Sequence, residues 1–195
     1  MWLGQLLGNY AGRGVYPGTD IKKEGYCPRG GATFDSIGWD DALATDVWVA
    51  DDDTALEYMY LDLLRGAATP AGTQLKQTWT DNFSPGELYV ANMQARYLME
   101  PAPVGADLTP PQTGDLRRNM HWYAIDSQIT TEVIGAICPG MVQQAIDLTG
   151  KFAHISNDGF PVHAAQLYTA MYAAAWFESD VVKLVQEALD AIPTT

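Results

Sequence analysis

Apolar positions along the middle of the chain recur with the period of a helix. Leu56, Met59, Tyr60, Leu63 and Leu64 stand at three- and four-residue steps, which predicts a helix over residues 54–65 ended by Gly66. A second helix is predicted over residues 72–81. A third opens at Ser84-Pro85-Gly86-Glu87, with Pro at an early position and Leu88, Ala91, Ala95 and Leu98 on one face. Ile129, Val133, Ile134 and Ile137 predict a buried helix over 125–137 closed by Pro139-Gly140, followed by a helix over 141–148 closed by Gly150. Residues 162–177 are rich in Ala and carry Tyr168, Met171, Tyr172, Trp176 and Phe177, the composition of a helix buried on most sides. The last amphipathic helix covers 181–191 and ends at Pro193.

Near the amino terminus Gly4, Gly8 and Gly12 recur every four residues, a stripe that would let another backbone approach a helix over residues 2–11. Residues 12–38 are rich in Gly, Pro and Asp without a sustained period and read as a long loop of the binding or lid type, carrying Asp20, Glu24 and Asp35. Residues 39–49 form a short helix or an extended segment, and the prolines of 101–115 mark a second surface loop. No alternating strand pattern and no repeat stands out. The expected fold is all-α, a globular array of packed helices forming one domain over residues 1–195.

The composition supports a cored globular chain, since 47% of its 195 residues are apolar and 18% charged. Lys and Arg total 11 against 24 Asp and Glu, a net charge of −13, which argues against duplex nucleic acid as a partner because its phosphates must be neutralised by basic side chains. Cys27 and Cys138 match no metal-ligand spacing and read as two thiols in a reducing compartment. The apolar start Met1–Gly8 lacks a basic flank and is interrupted by Asn9-Tyr10, so the expectation is a cytoplasmic protein with no membrane segment.

Candidate chemistry centres on Asp51-Asp52-Asp53-Thr54, three consecutive carboxylates between the apolar run Val47-Trp48-Val49 and a helix. Their mutual repulsion would be relieved by a hard divalent cation bound through oxygen. The same residues also fit a helix start, with Thr54 and Glu57 as a capping box and Asp favoured at the positive end of the helix. Both readings stand on the residues alone. Arg117, Arg118 and His121 fall in one short window of an acidic chain, which reads as a solvated turn or as a contact to an anionic ligand.

Taken together, several stretches resemble the ADP-ribosylglycohydrolase family. Gly4-Gln5-Leu6-Leu7-Gly8-Asn9-Tyr10-Ala11-Gly12 is similar to its opening glycine-rich helix, with Gly8-Asn9 where the family has Gly-Asp, and Asp51-Asp52-Asp53-Thr54 resembles its metal motif. Pro110-Pro111-Gln112-Thr113-Gly114 leading to Asn119 resembles its substrate loop. Ile134 to Met141, His154, Asp158-Gly159 and the Ala-rich run at 170–175 follow in the family's order.

The resemblance implies a pair of Mg²⁺ or Mn²⁺ ions with Asp51, Asp52 and Asp53 among the ligands. It also implies hydrolysis of the glycosidic bond between ADP-ribose, or a related ribosyl group, and its acceptor. Asn119, His154, Asn157, Asp158 and Gly159 would face the substrate; the general acid or base is not identified, and nothing local distinguishes Glu24 for the role. The family's late Gly-Asp-x-Asp-Thr segment has no counterpart after Thr54, since Asp180, Asp190 and Thr194-Thr195 are arranged differently. The chain therefore resembles the amino-terminal portion of the family fold, which leaves open a truncated gene product, a site completed by self-association or by a second chain, and a non-catalytic relative that binds ADP-ribose or a nucleotide. A helical interaction protein is the plainest alternative.

Overall fold

Asp51 starts the first long helix. Its Oδ1 accepts the Thr54 amide at 2.9 Å, satisfying one of the amides a helix leaves unpaired at its start, and α1 runs over Asp52–Gly66 with Asp52 and Asp53 in its first turn. The cap is thus Asp51 rather than Thr54, and Glu57 is not the closing member of a capping box. In the computed structural model, residues 1–6, 8 and 50–192 are described. The chain divides into two compact units, Met1–Ala55 and Leu56–Thr195, and α1 begins in the first and continues into the second.

In the first unit residues 2–6 and 8 are helical. Among the described residues nothing lies within 4 Å of a Cβ added at Gly4 or Gly8, so these two glycines make no close backbone approach there. Gly12, the 12–38 loop with Asp20, Glu24 and Asp35, Cys27 and the 39–49 segment lie outside the described residues.

In the second unit helices are the only regular structure among the described residues. The predicted helix over 72–81 is α2, Gly72–Asn82, which buries Leu75 and Trp79. The next helix does not open at Ser84. Glu87 Oε2 accepts both the amide and the hydroxyl of Ser84, at 2.7 and 2.8 Å, and closes Pro85–Glu87 as one isolated 3₁₀ turn. Leu88 and Tyr89 are extended, and α3 runs from Val90 to Met99 with Ala91, Ala95 and Met99 inward, so that Met99 takes the core position expected for Leu98.

The predicted 125–137 helix is likewise two pieces, a 3₁₀ turn at Asp126–Gln128 and the short α4, Glu132–Ile137. Between them the hydroxyls of Thr130 and Thr131 donate to the carbonyls of Asp126 and Ser127, side-chain bonds that compete with a continuous helix. Helix α5, Val142–Ala153, passes through Gly150 instead of ending there, with Gln166 Nε2 only 3.1 Å from where a Cβ on Gly150 would sit. Helices α6, Phe160–Ala174, and α7, Val181–Ala191, complete the unit. Cys138, just after α4, is a buried free thiol whose ionisation burial disfavours.

Helix α6 is the centre of this unit, packed by α4, α5, α7 and the 126–128 turn. Its inward face is made of small side chains, Ala165, Thr169, Ala170 and Ala173, which let neighbours approach closely. The large rings therefore point outward: Tyr168, Tyr172, Trp176 and Phe177 are all exposed, against the expectation of a helix buried on most sides. Tyr60 of α1 meets Phe152 of α5 with ring centroids 4.5 Å apart and also stacks on Trp79, joining α1 and α2 to the core. No helix among the described residues is long and apolar enough to cross a membrane.

Helix α4 lies close against α6 at Gly135. A Cβ there would lie 2.5 Å from the Thr169 carbonyl oxygen and 2.6 Å from Tyr172 Cβ, closer than side chains tolerate. Gly135→Ala should push α4 off α6 and lower the unfolding free energy by about 2 kcal/mol or more, read from urea denaturation. Equal stability of the two proteins would mean that α4 can be displaced without loss.

Candidate active site

The apolar stripe of α1 contains one intruder. Glu57 shares the inward face with Leu56 and Tyr60 and is 0% exposed. Its counterpart is Glu132, the first residue of α4 and partly exposed, which hydrogen-bonds the Glu57 carboxyl. Burial pushes the Glu132 acid up to about 8, and the negative charge of Glu57 and the hydrogen bond to it act in the same direction. The amides of Thr131 and Glu132 donate to Glu132 and pull the other way without reversing the outcome. At neutral pH Glu132 therefore keeps its proton. Glu132 Oε2 has no hydrogen-bond partner among the described residues.

Tyr172 borders this pair. Its phenol is raised first by burial and then by the charges of Glu132 and Glu57, with Tyr168 contributing. Tyr168 and Tyr172 stand one turn apart on α6 and are 48% and 46% exposed, so α6 presents both rings to solvent as well as to the acids. Gly135, one turn on from Glu132, is what lets α4 lie against the Thr169 carbonyl and the Tyr172 Cβ.

The loops carrying the sequence-predicted substrate residues form a separate polar knot. Asn119 is 0% exposed; its amide donates to the carbonyls of Ala91, Thr113 and Ser156 at 2.9 to 3.2 Å, and its oxygen accepts the His121 amide. Asn157, also 0% exposed, donates to the carbonyls of Trp122 and Ala124 and accepts from the Ser127 amide and the Ser156 hydroxyl. Both amides are spent on holding main chain. Asp158 ties the knot at its edge, accepting the Leu116 and Gly159 amides while His154 Nδ1 lies 3.9 Å from its Oδ1. Gly159 adopts a left-handed φ of 59° as it leads into α6. Arg117 and Arg118 are exposed on the same loop.

The knot bears on the acid pair through one chain of bonds. Asn157 Oδ1 holds the Ser127 amide at 3.0 Å, the Ser127 carbonyl accepts the Thr131 hydroxyl at 2.7 Å, and Thr131 is the residue that starts α4 immediately before Glu132. Asn157 thus helps to position Glu132 without touching it.

The Asp run lies at the head of α1, with Asp51, Asp52 and Asp53 half-buried. Carboxylate oxygens are the donors that Mg²⁺ and Mn²⁺ take, so the donor chemistry fits such an ion. One Asp51 oxygen, however, is committed to the Thr54 amide. No three His, Cys, Asp or Glu side chains converge for a metal ion among the described residues.

The sequence marks Glu57 only as a helix-cap partner and does not mark Glu132 at all. The available signal was a carboxylate at a core position of α1. No known protein family, curated protein or solved structure matches this chain. The likeness to ADP-ribosylglycohydrolases therefore rests on the order of its motifs.

Proposed function

We propose that the chain is a metal-dependent hydrolase of ADP-ribosyl or related ribosyl glycosidic bonds. The observation that carries this reading is the buried Glu57–Glu132 pair, a carboxyl group that keeps its proton at neutral pH beside the solvent-facing rings of Tyr168 and Tyr172. Breaking a glycosidic bond to an alcohol or a guanidinium needs an acid for the departing atom, and an ordinary surface carboxylate has no proton to give at pH 7. Asp51, Asp52 and Asp53 at the head of α1 would hold the Mg²⁺ or Mn²⁺. When bound, the ion would polarise the ribose hydroxyls and a water.

The substrate would lie over α6 and the edge of the loop knot, where His154 and Asp158 remain partly exposed, while Asn119 and Asn157 keep the loops in shape.

A second reading has its own support. Since no three ligand side chains converge among the described residues, a relative that binds ADP-ribose without metal or turnover is its natural rival. Calorimetry with ADP-ribose, with and without Mn²⁺, separates the two. The hydrolase reading expects binding strengthened by Mn²⁺ and the gain lost in Asp52→Asn; the rival expects binding indifferent to Mn²⁺, to chelator and to that substitution.

A further inference from the structure

The second unit carries an apolar face where the end of α4, the end of α6 and the start of α7 come together. Helix α6 stops at Ala174, and the chain turns through Trp176 and Phe177, which are 60% and 81% exposed. The Gly140 amide donates to the Ala173 carbonyl at 2.8 Å, and the Phe177 ring lies 2.9 Å from where a Cβ on Gly140 would stand. That contact holds the turn after α4, with the exposed Ile137 and Met141, beside the ring. Val181 and Val182, 66% and 78% exposed, follow in the first turn of α7.

The charges bordering this face already have partners within the chain. Glu178 Oε1 accepts the amides of Ser179 and Asp180, and Asp180 Oδ1 accepts those of Val182 and Lys183. Lys183 Nζ lies 3.6 Å from the other Glu178 oxygen. Trp176 and Phe177 alone offer on the order of 300 Å² of surface. With the other four side chains the face exceeds the stray apolar patches of a monomer and approaches the roughly 800 Å² that each partner brings to a stable interface.

We propose that this is where two copies of the chain meet across a two-fold axis. An apolar face whose bordering charges are internally paired is its own complement, and a two-fold contact sets the same patch against itself. A lipid surface is the poorer match. Rings that enter a membrane interface are ringed by Lys and Arg, whereas here the bordering base is the paired Lys183 and the chain carries a net charge of −13. The inference goes beyond the hydrolase reading and does not depend on it.

Sedimentation equilibrium of the full chain should report twice the 21.3 kDa of one copy. Trp176→Ala should raise the dissociation constant by about 10³-fold, because a two-fold contact loses the ring twice. Val182→Asp should leave a monomer, since it places an unpaired carboxylate in the face of each copy. This variant keeps its fold: an acid suits the positive end of α7, and Asp180 caps the main chain of residue 182 whatever its side chain. Val104→Asp, at an exposed position in the turn after α3, should leave the dimer as it is. Raising the salt from about 0.05 to about 0.5 M should tighten the dimer, because salt screens the repulsion between two acidic chains and spares an apolar contact. A wild type that is monomeric up to about 0.1 mM, a dimer that Trp176→Ala and Val182→Asp leave unchanged, or one that salt dissociates overturns the proposal. Monomeric wild type that binds vesicles of phosphatidylcholine and phosphatidylglycerol, with binding lost in Val182→Asp, overturns it too and gives the face to a lipid surface.

Discussion

Raising the pH from about 5 to about 8 should lower the unfolding free energy of the wild type by an amount on the order of a few kcal/mol, and Glu132→Gln should remove most of that slope. The carboxyl has an ordinary value of 4.5 and is pushed up to about 8 in the fold, chiefly by burial. Between those values the folded chain holds a proton that the unfolded chain has released. Stability from this group is therefore fully present below 4.5, falls by up to about 1.4 kcal/mol per pH unit, and is lost once the pH passes 8. Asp126 works in the same direction, since burial raises it too, although the Asn92 and Ala91 amides oppose the shift. A small slope should thus survive in Glu132→Gln. At pH 8 the variant should be the more stable of the two, because a neutral amide replaces a buried charge beside Glu57. Urea denaturation of both proteins at several pH values measures this. Parallel curves would mean that Glu132 does not keep its proton.

The largest loss from a single truncation is expected at Asn157. Asn157→Ala removes four hydrogen bonds at a fully buried position and leaves one amide, one hydroxyl and the Ala124 carbonyl without the partner Asn157 gave them, while the Trp122 carbonyl keeps the Asp158 amide. Each orphaned group costs about 1–3 kcal/mol, and partial relief by water or by rotation of the Ser156 hydroxyl brings the expected total to about 3–5 kcal/mol. Since Asn157 holds Ser127, and Ser127 holds Thr131 at the start of α4, the variant should also have a shallower pH dependence than the wild type. Denaturation across the same pH series reports both effects. A loss below about 1 kcal/mol would show that the loops hold without the amide.

Helices α1 and α7 were legible because their apolar positions repeat cleanly and end at Gly66 and before Pro193. The breaks were not. Ser84 with Glu87, and Thr130 with Thr131, bond locally to their own neighbourhood, and a hydrophobic period does not register such competition with the helix. Gly150 looked like a stop but sits inside α5, where its lack of a side chain makes room for Gln166. The aromatic residues of α6 looked like core, yet its alanines are what pack, and close packing turns the rings outward.

The candidate site was legible only at the Asp run, where three carboxylates in a row are conspicuous. Glu57 and Glu132 are far apart along the chain, and Glu57 stood out only as a helix-cap partner of Thr54, so only the folded chain reveals that the two carboxyls meet. Asn119 and Asn157 were picked out as polar residues facing a ligand. Their hydrogen bonds to main chain become visible only once the 109–124 and 154–159 loops are folded together.

The most direct test of the hydrolase reading is release of ADP-ribose from N- and O-linked acceptors by the purified chain with Mn²⁺, alone and with any protein that co-purifies with it, followed by chromatography. The account predicts release by the wild type and loss of it with chelator and in Asp52→Asn. Folded protein that binds ADP-ribose equally with and without metal, and releases none from either linkage, would contradict it.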